Sequence, residues 1–207
     1  MMKIFLIGFC ILFNSFLFGK FTTFNFEDPK GVNSIIFHLD APLESINGSG
    51  DKVSGSVQFD PSNPEQTSGE IILESKSLHV GNSLLKEHMH GEDWMNVEKY
   101  PLIRFSFQGL TKLKKIGDKD SKMDYTGEVK GKMTIRNVTI AMNVPVKITY
   151  LKGLLEKRNR VPGDLLVVRS RFSVKRDDFD IQKGKNLEKV ANEIEIILNL
   201  AGAAPYK

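Results

Sequence analysis

A chain of 207 residues, 41% hydrophobic and 26% charged, is long enough for one domain of ordinary size with a real core. Its net charge of +4 comes without a basic block of the nucleic-acid-binding type, so no nucleic-acid partner is expected. The single cysteine, Cys10, lies in an apolar N-terminal run, so the residues beyond that run have no disulfide, thiolate metal site, thiol nucleophile or c-type haem attachment to draw on.

The first residues have the pattern of an export signal. Lys3 supplies a short positive region, residues 4–18 are apolar apart from Asn14 and Ser15, and Gly19 is a small residue at the expected cut. This predicts a cleaved signal peptide over 1–19 and a single domain over 20–207. An uncleaved N-terminal anchor is the alternative, although the run is short and interrupted for a span of ~20 residues. Phe9 before Cys10 is not the small residue that lipidation requires.

From Lys20 onward the pattern is β. Ser34–Asp40 puts Ile35, Phe37 and Leu39 on one face. Residues 53–60 set Val57 and Phe59 against Ser56 and Gln58, and Pro61 and Pro64 end the run, because proline cannot donate to a ladder. Residues 69–75 carry Ile71 and Leu73. Next comes a helical turn that Asn82 can cap and Gly91 can end, with Leu84, Leu85, His88 and Met89 on one stripe. Inserted between strands, it predicts a lid over the mouth of an open sheet or barrel, with Met89, Trp94 and Met95 pointing into the mouth. Residues 102–109 place Ile103, Phe105 and Phe107 opposite Arg104, Ser106 and Gln108.

The polar, Lys/Asp-rich residues 111–124 predict a loop or an extended hairpin end. Residues 125–135 resume with Met133 and Ile135, and Asn137-Val138-Thr139 is a turn. Residues 144–150 give Val144, Val146, Ile148 and Tyr150 on one face. Residues 165–174 set Leu166, Val168 and Phe172 against Arg169 and Arg171, and residues 192–200 give Ile194, Ile196, Leu198 and Leu200. The sum is an all-β domain of about eight strands with one dry face. A closed antiparallel barrel suits it and removes exposed edges, with a two-sheet sandwich as the alternative. Periodicity does not separate a barrel filled by side chains from one that is hollow.

Five stretches in order resemble the YceI-like family of exported lipid-binding proteins. They are Val57-Gln58-Phe59-Asp60-Pro61, the lid run Gly81-Asn82, His88, Asp93-Trp94 and Val97-Glu98-Lys99-Tyr100-Pro101, then Gly131-Lys132-Met133-Thr134-Ile135-Arg136-Asn137-Val138-Thr139, Pro145-Val146, and Arg176-Asp177-Asp178-Phe179-Asp180-Ile181. Asn137 and Asp180 stand where the family usually has glycine. The resemblance implies an eight-stranded lipocalin-like antiparallel barrel with a short helical lid. It further implies export to the periplasm, an apolar cavity holding an isoprenoid or other long-chain amphiphile, no further cofactor, and a homodimer in many members.

A carrier of this kind needs apolar walls and a few polar groups at its mouth. The candidate wall residues are Phe37, Phe59, Leu73, Phe105 and Phe107, then Met133, Ile135, Val146 and Phe172. Candidates from the lid are Leu84, His88, Met89, Trp94 and Met95. Arg176 can brace the mouth through an ion pair with Asp178 or bind a head group, and bracing is the structural expectation. The basic runs 112–115 and 157–160 read as solvated surface, with transient contact to anionic lipid head groups as the alternative. His88-x-His90-x-Glu92-Asp93 supports a competing function, a metal-dependent or redox-associated enzyme. Against it, helical positions i and i+2 do not share a face. No metal ligand and no catalytic residue is therefore assigned.

Overall fold

A computed structural model describes residues 21–207, and the expected signal peptide with Cys10 lies outside the described residues. The strands are β1 (Thr22–Asn25), β2 (Ser34–Asp40), β3 (Ser45–Gly50), β4 (Val53–Phe59), β5 (Ser68–Glu74) and β6 (His79–Val80). They continue as β7 (Leu102–Lys119), β8 (Lys122–Ile135), β9 (Val138–Leu151), β10 (Gly163–Lys175) and β11 (Glu193–Pro205), with helices α1 (Ser83–His90) and α2 (Leu155–Asn159). All pairings are antiparallel, and the sheet closes where Asn25 of β1 meets Ala203 of β11. The closure excludes the sandwich.

Eleven strands fill eight positions around the barrel. β1 and β2 share one position against β11, β4 and β3 share the next, and β5 and β6 share the third. The excursion between β1 and β2 interrupts the seam with β11, and the buried Asn33 repairs it. Its Nδ2 donates to the carbonyls of Phe26 (2.8 Å) and Ala201 (3.1 Å), and its Oδ1 accepts from Ala201 N (2.8 Å).

β1, β3 and β6 lie outside the eight expected runs, β7 outruns its expected end, and β9 takes in Val138 and Thr139, which the sequence reads as turn. β3, Ser-Ile-Asn-Gly-Ser-Gly, has the composition of a turn. Its Gly48 lies opposite Phe37, and a Cβ there would come within 2.0 Å of the Phe37 ring, so the wall needs glycine beneath that aromatic side chain. The polar stretch 111–124 is the tip of the long β7–β8 hairpin, with β7 running to Lys119. β5 pairs with β7 only from Leu102 to Gln108, which leaves the rest of β7 as an edge. Three register shifts and Lys112, Lys114, Lys115 and Lys119 blunt that edge. In the β8–β9 turn it is Arg136, not Asn137, that takes positive φ (57°). Asp180 takes φ 54°, the backbone that glycine would favour.

The barrel end away from α1 is plugged. Phe24, Phe59, Tyr125 and Tyr150 pack edge-on or tilted, with ring centroids 5.7–6.4 Å apart. The Tyr150 hydroxyl donates to Asp164 Oδ2 (2.8 Å), and Asp164 Oδ1 accepts from Gly153 N (2.7 Å) and the Tyr206 hydroxyl (2.6 Å). Burial first, and the Asp164 carboxylate second, push the Tyr150 pKa far above its ordinary value. Phe59, a candidate cavity wall residue, belongs to this plug instead. Alternation along a strand fixes the face a side chain takes but not its depth.

Beside the plug, Arg158 forms a forked ion pair with the almost fully buried Asp28, at 2.8 and 3.2 Å. Arg158 is therefore structural and not simply solvated surface like a free loop charge. Burial raises the Asp28 pKa, but Arg158 and the amides of Val32 and Lys30 outweigh it and hold the carboxyl below 3.8. A carboxyl with a lowered folded-state pKa contributes stability above its unfolded value, and that contribution is lost as pH falls through the folded value. Arg158→Ala removes the cause of the lowering, so acid unfolding followed by circular dichroism is expected to begin at higher pH than in the parent. An unchanged acid midpoint would count against this pair.

Candidate functional site: a blind apolar cavity under the lid

The inward faces of the strands enclose a cavity of about 490 Å³. Phe37, Leu73, Phe105, Phe107, Met133, Ile135, Val146 and Phe172 all reach it, as the sequence pattern predicts. So do Ile35, Ile71, Ile103, Val168, Ile196 and Leu198, which the same alternation marks as inward without singling them out. Many of these side chains are only half-buried although they point inward. Phe37, Ile71, Ile103, Phe105, Phe107, Val168, Phe172 and Leu198 all pack against the core yet keep open surface. They border a hollow, and the barrel is not filled by its own side chains. Phe105 has room because Gly131 lies beneath it, where a Cβ would approach the ring to 2.5 Å. Phe105 stacks on Phe107 at 5.9 Å.

The lid is built as its sequence predicts. Asn82 caps α1 by accepting from Leu85 N at 2.9 Å. Gly91 N closes the helix on the carbonyls of Glu87 and His88, both at 3.0 Å. The chain then folds back, with Met95 N donating to Met89 O (3.0 Å) and Val97 N to His90 O (3.1 Å). That fold turns Leu85, Met89, Trp94 and Met95 to the cavity and leaves His88 at its rim. Leu84 does not join them. It is 60% exposed, because the inward face of this short helix centres on Leu85 and Met89, with Leu84 on its shoulder.

Arg176 takes the bracing role that the sequence suggests, but with other partners. It is 1% exposed and makes no ion pair with Asp178. Its guanidinium donates to five carbonyls: Ala191 (3.1 Å), Ile181 (3.0 Å), Val190 (3.1 Å), and those of Gln182 and Lys185. A guanidinium has five N–H donors, so none remains for a head group. The charge also lies over the Trp94 ring at 5.6 Å. Burial lowers the Arg176 pKa, and the Asp177 carboxylate acts in the opposite direction. Arg176 braces the loop that faces the lid, and it binds through carbonyls where the sequence suggests a carboxylate.

The polar groups that do reach the cavity rim are Glu44, His88, Asn186 and Lys189. Glu44, Asn186 and Lys189 come from the β2–β3 turn and the braced loop, where the sequence carries no motif to mark them. The 88–93 cluster is not brought together as a ligand set. His90 Nε2 is 2.7 Å from Leu78 O and His88 lies at the rim, so the two rings diverge. Among the described residues, no group of three or more His, Cys, Asp or Glu is placed to hold a metal ion.

Comparison with known proteins agrees with this architecture. The chain is 26% identical over 157 residues to a UPF0312 protein of Yersinia pestis, covering 76% of this chain and 73% of that one. The structure of Burkholderia cenocepacia BcnA superposes with a TM-score of 0.63 at 23% identity, covering 82% of this chain and 95% of that one. A polyisoprenoid-binding domain from Saccharophagus degradans, implicated in plant cell wall breakdown, superposes with a TM-score of 0.64 at 11% identity, covering 90% of this chain and all of that one. The model of the YceI-like domain matches residues 28–201, so the chain is a member of the YceI-like family.

Proposed function

We propose that the protein is a non-catalytic carrier of one long-chain amphiphile, an isoprenoid or fatty lipid, working in the periplasm after export through residues 1–19. The observation that carries this is the ring of half-covered apolar side chains around a blind cavity of about 490 Å³. Removing hydrocarbon from water drives such binding. A chain carbon takes about the room of a liquid water, ~30 Å³, so the cavity accepts on the order of 16 chain carbons. The head group stays at the rim, beside Glu44, His88, Asn186 and Lys189. Phe37, Leu73, Phe105, Phe107, Met133, Ile135, Val146 and Phe172 hold the tail, with Met89, Trp94 and Met95 covering it. The isoprenoid-binding neighbour of the same fold supports the ligand class.

Mass spectrometry of an organic-solvent extract of the natively purified protein tests this. One equivalent of a prenyl or acyl amphiphile is expected. An empty extract, together with no uptake from a panel of such chains, sinks the proposal.

A further inference from the structure

The barrel wall is bonded unevenly. β8 and β9 pair along their whole length, from Lys122 with Leu151 to Ile135 with Val138. β10 and β11 pair from Gly163 with Pro205 to Lys175 with Glu193. Between β9 and β10 the ladder runs only from Leu165 with Leu151 to Arg169 with Lys147. Among the described residues, 138–144 and 170–175 have no strand partner across this seam. The sequence explains where pairing stops. Continuing the register would set Pro145 opposite Arg171, and proline has no N–H to give. Ser170 Oγ donates to Pro145 O at 2.5 Å and pins the last bonded point. At the mouth, a long 3.4 Å bond from Arg136 Nη1 to Asp180 O bridges the two sides.

Between those points the seam is filled by side chains. Ile140 and Met142 of β9 and Phe172 and Val174 of β10 belong to one apolar cluster. Phe172 and Val174 border the cavity from within, while Ile140, Met142 and Phe172 are only half-buried.

We propose that this seam is a side door of the cavity, through which the ligand's hydrocarbon chain enters and leaves while the lid stays shut. The proposal rests on the carrier function above. The lid is kept in one piece by its Asn82 cap and the backbone bonds at its far end, Gln182 Nε2 ties it to the facing loop by donating to Asp93 O at 3.2 Å, and that loop is held by the five bonds of Arg176. The opposite end is plugged by aromatic rings. The break between β2 and β1 is bridged by Asn33. Opening the β9–β10 seam breaks no ladder bond; it asks for the loss of the long Arg136–Asp180 bond and for rotamer changes, chiefly of Met142, whose unbranched thioether adapts readily.

The absence of cysteine from 20–207 makes the test clean. Asn143→Cys with Ser173→Cys, an exposed pair that the continued register sets opposite each other on the outer face, joined by a short bismaleimide, ties the door. Asp93→Cys with Gln182→Cys, at a site where Gln182 Nε2 donates to Asp93 O at 3.2 Å, ties the lid to its facing loop. Uptake of a fluorescent fatty acid is followed by stopped flow. Tying the door is expected to slow uptake at least tenfold, and tying it after loading is expected to slow release equally, which also shows that the tied barrel is folded. The tied lid is expected to load at the parent rate. Parent-rate uptake through a tied door, or arrest by the tied lid, overturns the proposal. A parent that takes up neither this probe nor a prenyl analogue overturns carriage itself, and the door falls with it.

Discussion

Arg176→Leu is expected to destabilise the protein by about 4 kcal/mol, the cost of leaving buried polar groups without their charged partner. The five carbonyls of the 181–191 loop that accept from the guanidinium would face an apolar side chain. A loss of that size lowers Tm by roughly 8–16 °C in a domain of this length. Arg176→Lys restores the charge but offers three donors from one point in place of a planar fork. It is expected to recover less than half of the loss. A thermal scan in which Arg176→Leu melts within about 3 °C of the parent, well short of the shift that such a loss implies, would show that the loop does not depend on this residue.

Val168→Trp is expected to weaken ligand binding about 50-fold at nearly unchanged stability. Val168 points into the hollow from β10 and is only half-buried, so the larger side chain enters open space and not packed core. The added bulk displaces about three chain carbons, at ~30 Å³ each. At ~0.8 kcal/mol per buried methylene the loss is ~2.4 kcal/mol, or about 50-fold in Kd. Ile36→Trp, on the outer face of β2 where Ile36 is 42% exposed, is the matched control and should bind like the parent. Equal affinity of Val168→Trp and Ile36→Trp in a fluorescent-lipid titration would place the ligand elsewhere.

How far the sequence speaks depends on which physical rule each residue obeys. Period-two alternation marks the wall, and it places the bounds of β2 where the structure has them, because one face of each strand is dry. The lid is legible for a similar reason. Its cap, stripe and terminating glycine are local features, and all lie within ten residues. Depth is not legible. Val57 and Phe59 share a face, yet Val57 borders the cavity and Phe59 fills the plug. The β3 strand is hidden because its Gly48 answers to Phe37 across the sheet and not to its own neighbours. The outer half of β7 is hidden because an edge strand defended by lysines has the composition of a loop. Arg176 draws attention through its motif, but its partners are backbone carbonyls, which no side-chain pattern announces.

The closing contact of the barrel has a consequence for how the molecule is made. Asn25 pairs with Ala203, so the first strand and the last meet across almost the whole length of the chain. The hairpins from β7 to β11 form between sequence neighbours and can assemble early, whereas closure carries the loop-entropy cost of the longest separation in the fold. During synthesis, β1 emerges well before its β11 partner exists. Until the final residues arrive, the barrel is a curled open sheet with an apolar inner face and two bare edges, the form most exposed to self-association. Its slowest and most aggregation-prone moment is therefore the last one, when the two ends of the chain find each other.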